Sequence, residues 1–137
     1  MGGVHVLAQD DGRLVGHAAV VERRIEIGGV ALRTGYVEAV AVAPDRRGEG
    51  IGSRVMDDVA EIIRAEFELG MLGTGVQPFY ERLGWRIWGG PSAVRTDHGL
   101  EPSPDEDGYL MVLDTPTTPA LDPKALITCD WRPGDSW

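Results

Sequence analysis

The sequence predicts an α+β domain built around a largely antiparallel sheet. Three features carry that expectation: three consecutive β-rich runs joined by glycine-containing turns, one strongly amphipathic helix after them, and short apolar runs set among proline and glycine loops. A chain of 137 residues has room for one hydrophobic core, so residues 1–137 are expected to form a single domain. Hydrophobic residues make up 42% and charged residues 26%, the balance of an ordinary globular chain. No apolar run approaches the ~20 residues of a membrane-spanning helix, and no signal peptide is recognisable. Membrane association and secretion are set aside, and a cytoplasmic location is expected.

The elements follow in order. Residues 4–8 are a short β-rich run closed by the turn residues Asp10, Asp11 and Gly12. Residues 14–27 and 30–42 are longer runs rich in Val and Ile, separated by Gly28 and Gly29, so the three read as a meander. Gly35 inside the third run suggests a bulge or a close backbone approach. From Ile51 the apolar residues Val55, Val59, Ile62, Ile63 and Phe67 recur on one helical face, with Arg54, Asp57, Asp58, Glu61 and Arg64 opposite. A short strand at 69–72 precedes a second helix at 77–83, which ends at Gly84, a residue suited to a left-handed cap. Residues 85–88 and 109–113 are further strands, separated by a polar loop carrying Pro102, Pro104 and three acids. A last strand is expected within 125–130.

Charge and side-chain chemistry narrow the function. The formal net charge is −9, from 22 acidic against 13 basic residues. That argues against nucleic acid, which needs a basic face, and suits a cationic small molecule as well as simple solubility. Cys129 is the sole cysteine, so neither an internal disulfide nor a multi-cysteine zinc site is expected. His5, His17 and His98 lack ligand spacing, and no metal is expected.

The segment 40–53, Val-Ala-Val-Ala-Pro-Asp-Arg-Arg-Gly-Glu-Gly-Ile-Gly-Ser, places a strand, a glycine-rich turn and a helix start in succession. Gly48, Gly50 and Gly52 let backbone approach a ligand without a Cβ in the way. The unpaired N–H groups of the helix's first turn suit an anion, and Arg46 or Arg47 can add a charge-assisted contact to a phosphate. The loop lacks the lysine of a P-loop, and Ser53 stands where a dinucleotide fingerprint has its last glycine.

Arg47, Gly50 and Gly52 after an apolar strand resemble the coenzyme A loop of the GNAT acetyltransferase superfamily, and the segment 79–85, Phe-Tyr-Glu-Arg-Leu-Gly-Trp, is similar to that superfamily's tyrosine segment. Gly35-Tyr36-Val37-Glu38, Gly90-Pro91, the acidic segment 104–108 and the ending 129–137 resemble the aminoglycoside 2′-N-acetyltransferases over nearly the whole chain. The resemblance implies a GNAT fold with a sheet splayed at the cofactor site and flanked by helices. It also implies acetyl transfer from acetyl-coenzyme A to an amine of an aminoglycoside, and direct attack is expected because the lone thiol and unpaired serines offer no nucleophile and base pair. An acetyltransferase for another small amine, and a non-catalytic coenzyme A-binding domain, stay open as alternatives. The chain begins at what matches that family's second strand, so the first strand and the two helices after it are expected to be missing. The stretch 73–76 looks shorter than in related enzymes, and Gly50-Ile51-Gly52 is nearer the superfamily's general loop.

Roles implied by the resemblance fall into three groups. Glu38 is the expected base, its carboxyl raised by desolvation beside Val37 and Ala39, unless it simply faces solvent. Tyr80 is the expected acid, unless it is only part of a packed helix face. Val40, Ala41 and Val42 are expected to pair through their backbone with the pantetheine arm, their side chains lying in the core. Arg47, Gly48, Glu49, Gly50, Ile51, Gly52 and Ser53 are expected around the diphosphate. Glu38, Ala39, Gly73, Asp105, Glu106, Asp107, Asp135 and Trp137 are expected to meet the acceptor, Trp137 through its indole and a terminal carboxylate. The acidic segment 104–108 alternatively reads as a solvated turn. The expected partner is an aminoglycoside or another polycationic amine, and a homodimer stays open.

Overall fold

The computed structural model describes residues 3–137. Nine strands form one sheet: β1 (Val4–Asp10), β2 (Arg13–Ile27), β3 (Val30–Val42), β4 (Leu69–Gly73), β5 (Arg86–Ile87), β6 (Ser92–Thr96), β7 (Gly99–Pro102), β8 (Leu110–Asp114) and β9 (Ile127–Asp130). Two helices accompany them, α1 (Ile51–Glu66) and the single-turn α2 (Gln77–Glu81). The strand order is β5-β8-β4-β3-β2-β9-β6-β7, with β1 paired to β2. Most pairs are antiparallel, and the β3–β4 and β6–β9 pairs are parallel. This is the expected α+β architecture.

The long β2 organises the sheet. One of its edges pairs with β3 along almost its full length. The other is shared, β1 taking residues 13–20 and β9 taking residues 25–27. Helix α1 covers one face, burying Ile51, Val55, Met56, Val59, Ala60 and Ile63 against Val6, Val15, Val20 and Val37. The opposite face is packed by Ile25, Ile27, Leu32, Met71, Val112 and Ile127, with Trp88 beneath. Each buried Leu, Ile or Val side chain contributes roughly 1.5–3 kcal/mol by leaving water, so the two apolar layers hold the sheet from both sides.

Gly35 and Gly70 are paired across β3 and β4. A Cβ on Gly35 would lie 2.9 Å from the Phe67 ring and 3.0 Å from Ile63, and one on Gly70 would lie 2.9 Å from Ile63. Gly35 therefore serves close approach of the end of α1. The bulge of β3 lies elsewhere: pairing steps from Ala19 opposite Glu38 to His17 opposite Ala41, with Ala39 at φ +55°.

Other expectations are corrected in detail. The second helix stops at Glu81, because Arg82 to Leu83 continue as turn, although Gly84 does take a positive φ. The strand at 85–88 shrinks to Arg86–Ile87, flanked by two buried tryptophans that pack as core. The expected polar loop contains a hairpin, β6 and β7, held by parallel pairing of β6 with the distant β9. Its second strand is wholly exposed, so no apolar alternation marks it in the sequence. The last strand begins at Ile127 and not at Ala125.

Candidate functional site

After Val42 the chain makes a 3-10 turn at Pro44–Arg46, and Gly48 and Gly50 then adopt φ of +85° and +78°. Those left-handed values favour glycine, and a Cβ at either position would meet nothing within 4 Å. Backbone conformation, with open space beside it, is what these glycines provide. The first helical hydrogen bond of α1 runs from Arg54 N to Gly50 O at 3.1 Å. The N–H groups of Ile51, Gly52 and Ser53 therefore lack helical acceptors. No side chain caps this end and its first turn carries no acid, so the positive end of the helix dipole is open to an anion.

A groove of about 850 Å³ lies against this turn. Val40, Ala41, Val42, Arg47, Gly48 and the run 50–53 line it, as expected of cofactor-binding residues. Glu49 does not. Its carboxylate is held by Arg46, whose Nε lies 3.0 Å from both oxygens and whose Nη1 reaches Asp10 at 2.7 Å. Arg46 is thus committed to neighbouring acids, while Arg47 forms no ion pair among the described residues. The side chains of Val40 and Ala41 are exposed and so are not core, because β3 has no neighbour strand on its β4 side there, whereas Val42 is half-buried and packs against the core. Phe79, Arg82 and Leu83 form the opposite wall, and sequence reasoning missed them as lining residues.

The missing neighbour is the key to the site. Strands β3 and β4 pair only through residues 34–36 and 69–71, after which β4 follows β8 to the pair Gly73 and Leu110. Residues 37–42 of β3 continue without a partner on that side, leaving a wedge between diverging strands. A second cleft, of about 860 Å³, opens there. Glu38, Ala39 and Gly73 line it, with Asp105, Glu106, Asp135 and Trp137 across it. Asp107 lies outside the lining. Its Oδ1 accepts from Ser92 N at 3.0 Å and Ser92 Oγ at 2.6 Å, anchoring the start of β6. Trp137 is buried, and its Nε1 donates to Ser103 Oγ at 3.0 Å, tying the last residues to the acidic turn.

The electrostatics of this cleft are uneven. Burial first, then the neighbouring Asp135 and Asp105 carboxylates, push the Glu106 carboxyl above its ordinary range. The Glu38 side chain is half-buried, and its carboxylate is not isolated. Its Oε1 lies 2.6 Å from Arg132 Nη1, at ion-pair distance, yet the contact is misaligned for a hydrogen bond and the buried oxygen has no aligned donor. Tyr36, also in the lining, lies between two guanidinium groups, Arg23 at 4.8 Å and Arg132 at 5.6 Å from its ring centroid. Its buried hydroxyl has no hydrogen-bond partner among the described residues, and desolvation holds its pKa far above the usual phenol value. Sequence reasoning missed Arg132 and Tyr36 as site residues: both lie in the segments that carry the family resemblance, yet nothing local shows which side chains of those segments reach the cleft.

Tyr80, Val40 and Val76 line both the groove and the cleft. Helix α2 buries Tyr80 between Phe79 and Trp85, with ring centroids 4.9 and 6.4 Å away. Burial raises its phenol above the ordinary value, so it remains a proton donor at neutral pH. Among the described residues no group of three His, Cys, Asp or Glu side chains is arranged to hold a metal ion.

Known proteins resemble this chain in sequence and in fold. A family model described as an acetyltransferase (GNAT) domain matches residues 3–88. The chain is 43% identical over 141 residues to the aminoglycoside 2′-N-acetyltransferase of Mycolicibacterium fortuitum, covering 100% of this chain and 72% of that enzyme. It is 35% identical over 82 residues to the glucosamine 6-phosphate N-acetyltransferase of Trypanosoma brucei brucei, covering 57% of this chain and 54% of that enzyme. Among solved structures, a GNAT family N-acetyltransferase from Escherichia coli in complex with CoA superposes with a TM-score of 0.63 at 15% identity, over 90% of this chain and 64% of that one. A GNAT family acetyltransferase from Brucella melitensis in complex with acetyl-CoA gives 0.55 at 24% identity, over 85% and 61%. At these identities the two structures speak for the fold.

Proposed function

The chain belongs to the GNAT acetyltransferase family, and from that premise we propose that it transfers an acetyl group from acetyl-coenzyme A directly to the 2′-amine of an aminoglycoside. The observation that carries the proposal is the meeting of an anion-accepting groove and an acidic cleft at Tyr80. The whole-chain identity to the M. fortuitum enzyme supports the choice of acceptor.

Acetyl-coenzyme A supplies a thioester-activated acetyl group and a thiol leaving group. The N–H groups at the start of α1 and the Arg47 guanidinium bind its diphosphate, and the open glycine backbone at 48 and 50 fits that task. The unpaired edge of β3 at 40–42 receives the pantetheine amides as an added strand would. In the cleft, Asp105, Glu106 and Asp135 attract and orient ammonium groups. Glu38 takes the proton from the attacking amine, directly or through water. Tyr80, kept protonated by burial, gives a proton to the departing thiolate. With no adjacent nucleophile and base pair on the chain, the amine itself attacks the thioester. The cleft's four lining carboxylates against Arg132 disfavour a phosphorylated amino sugar.

The test is acetylation of tobramycin with acetyl-coenzyme A, followed by thiol release and by NMR location of the acetyl group. Thiol release dependent on tobramycin, with the acetyl on the 2′-nitrogen, is expected. Coenzyme A binding without turnover on tobramycin would sink the proposal; turnover on another small amine would then select a different acceptor, and none on any amine a binding role.

A further inference from the structure

We propose that Arg132 is a built-in competitor for the acceptor: its guanidinium occupies the Glu38 carboxylate as a counter-cation, and an acceptor reaches Glu38 only by displacing it. The proposal rests on the reading of the acidic cleft as the acceptor site. Arg132 Nη1 is 2.6 Å from Glu38 Oε1, its guanidinium carbon stands 5.6 Å from the Tyr36 ring centroid, and its Nε donates to the Asp135 carbonyl at 2.9 Å. A group that stays charged at any working pH is thereby held against the carboxylate assigned to the incoming amine.

The contact neutralises charge but leaves hydrogen bonding unmet. Glu38 Oε1 and Tyr36 Oη are both buried, and neither has a hydrogen-bond partner among the described residues. Such orphans are exceptions in folded proteins, and here two belong to residues of one cleft against the same guanidinium. A planar guanidinium, whose donors are fixed in one fork, misses both. An alkylammonium carries three N–H donors on a freely rotating head, so it can turn them toward these oxygens once Arg132 withdraws.

Moving Arg132 lowers the affinity of every acceptor by the same factor, as any minor-state requirement does. What differs between acceptors is what offsets the loss. A monoamine has Glu38 alone. A polycation also engages Asp105, Glu106 and Asp135, none of which forms an ion pair among the described residues. The arginine thus sets a threshold of charge below which an amine does not bind usefully.

The test is calorimetric titration of tobramycin and of glucosamine into the coenzyme A-loaded protein. Four forms are compared, wild type, Arg132→Ala, Glu38→Gln and the double variant; a fifth, Arg132→Gln, is a milder change that keeps a donor for the Asp135 carbonyl. Arg132→Ala should tighten both ligands by a similar factor, about ten-fold. In the Glu38→Gln background the same change should alter either affinity by less than about two-fold, since the pair is already broken. Equal tightening in both backgrounds would mean a diffuse charge effect and overturn the proposal. Weaker binding in Arg132→Ala and Arg132→Gln would overturn it too, by making Arg132 a direct contact for the acceptor. Acetyl transfer to tobramycin is followed in parallel. Tightened binding with no turnover supports the role of Arg132 while sinking the transferase reading, and absence of tobramycin binding in all four forms overturns both.

Discussion

Tyr80 shows how one residue serves packing and chemistry together. Its ring is wedged between Phe79 and Trp85, so its position is set by the core, while its place in the lining of both cavities puts it where acyl donor and acceptor would meet. Removing only the hydroxyl leaves the ring packing intact. Tyr80→Phe should therefore lower turnover by about 10²-fold, the lower range for loss of a general acid. Calorimetry should show coenzyme A affinity nearly unchanged. Full activity in a folded Tyr80→Phe variant would leave the thiolate to be protonated by solvent.

At the scale of elements, the site exists because β3 and β4 begin parallel and then part. Their short contact is set by the Gly35 and Gly70 pair, over which Ile63 and Phe67 at the end of α1 settle. The helix is held close at this end, so its opposite, uncapped end is carried to the foot of the wedge. Gly70→Ala tests the joint. Its Cβ would stand 2.9 Å from Ile63 and 3.1 Å from Leu113, both in the core, where neighbours have little room to give. Overpacking of this kind costs about 1–3 kcal/mol, to be read from the denaturation midpoint. A variant as stable as wild type would show that α1 can shift, and coenzyme A affinity should then change instead.

Across the whole molecule, buried titratable groups set the pH range of stability. Desolvation raises the phenols of Tyr36 and Tyr80. In the unfolded chain each ionises near pH ~10, whereas the folded protein holds the proton to higher pH. Their contribution is fully present below pH ~10 and is lost as pH rises from there through the raised folded values. Burial raises the Cys129 thiol with the same sign, from its lower ordinary range. Thermal melts should thus show Tm falling between about pH 9 and 11. Tyr36→Phe should fall less steeply, because its ring has no ionisation to resist. An identical slope in Tyr36→Phe and wild type would assign the alkaline loss to other groups.

Periodicity and local chemistry alone determined the α+β class, the first three strands, helix α1 and the glycine-rich turn before it. Each depends on neighbours in sequence: alternating or helical apolar spacing, and glycines at positive φ just before a helix. The acidic segment and the tail were visible as charge, and their convergence on one cleft was implied by resemblance alone. Tertiary structure decided the rest. The β6 and β7 hairpin exists through pairing with a strand some thirty residues later, which no local pattern encodes. Asp107 was separated from Asp105 and Glu106 by one hydrogen-bonding neighbour, Ser92. Arg132, which follows β9, was brought to Glu38 on β3 because β2 pairs with both strands. Sequence spacing records which groups a turn or helix can align. Which charge ends beside which carboxylate is settled only when distant strands are packed together.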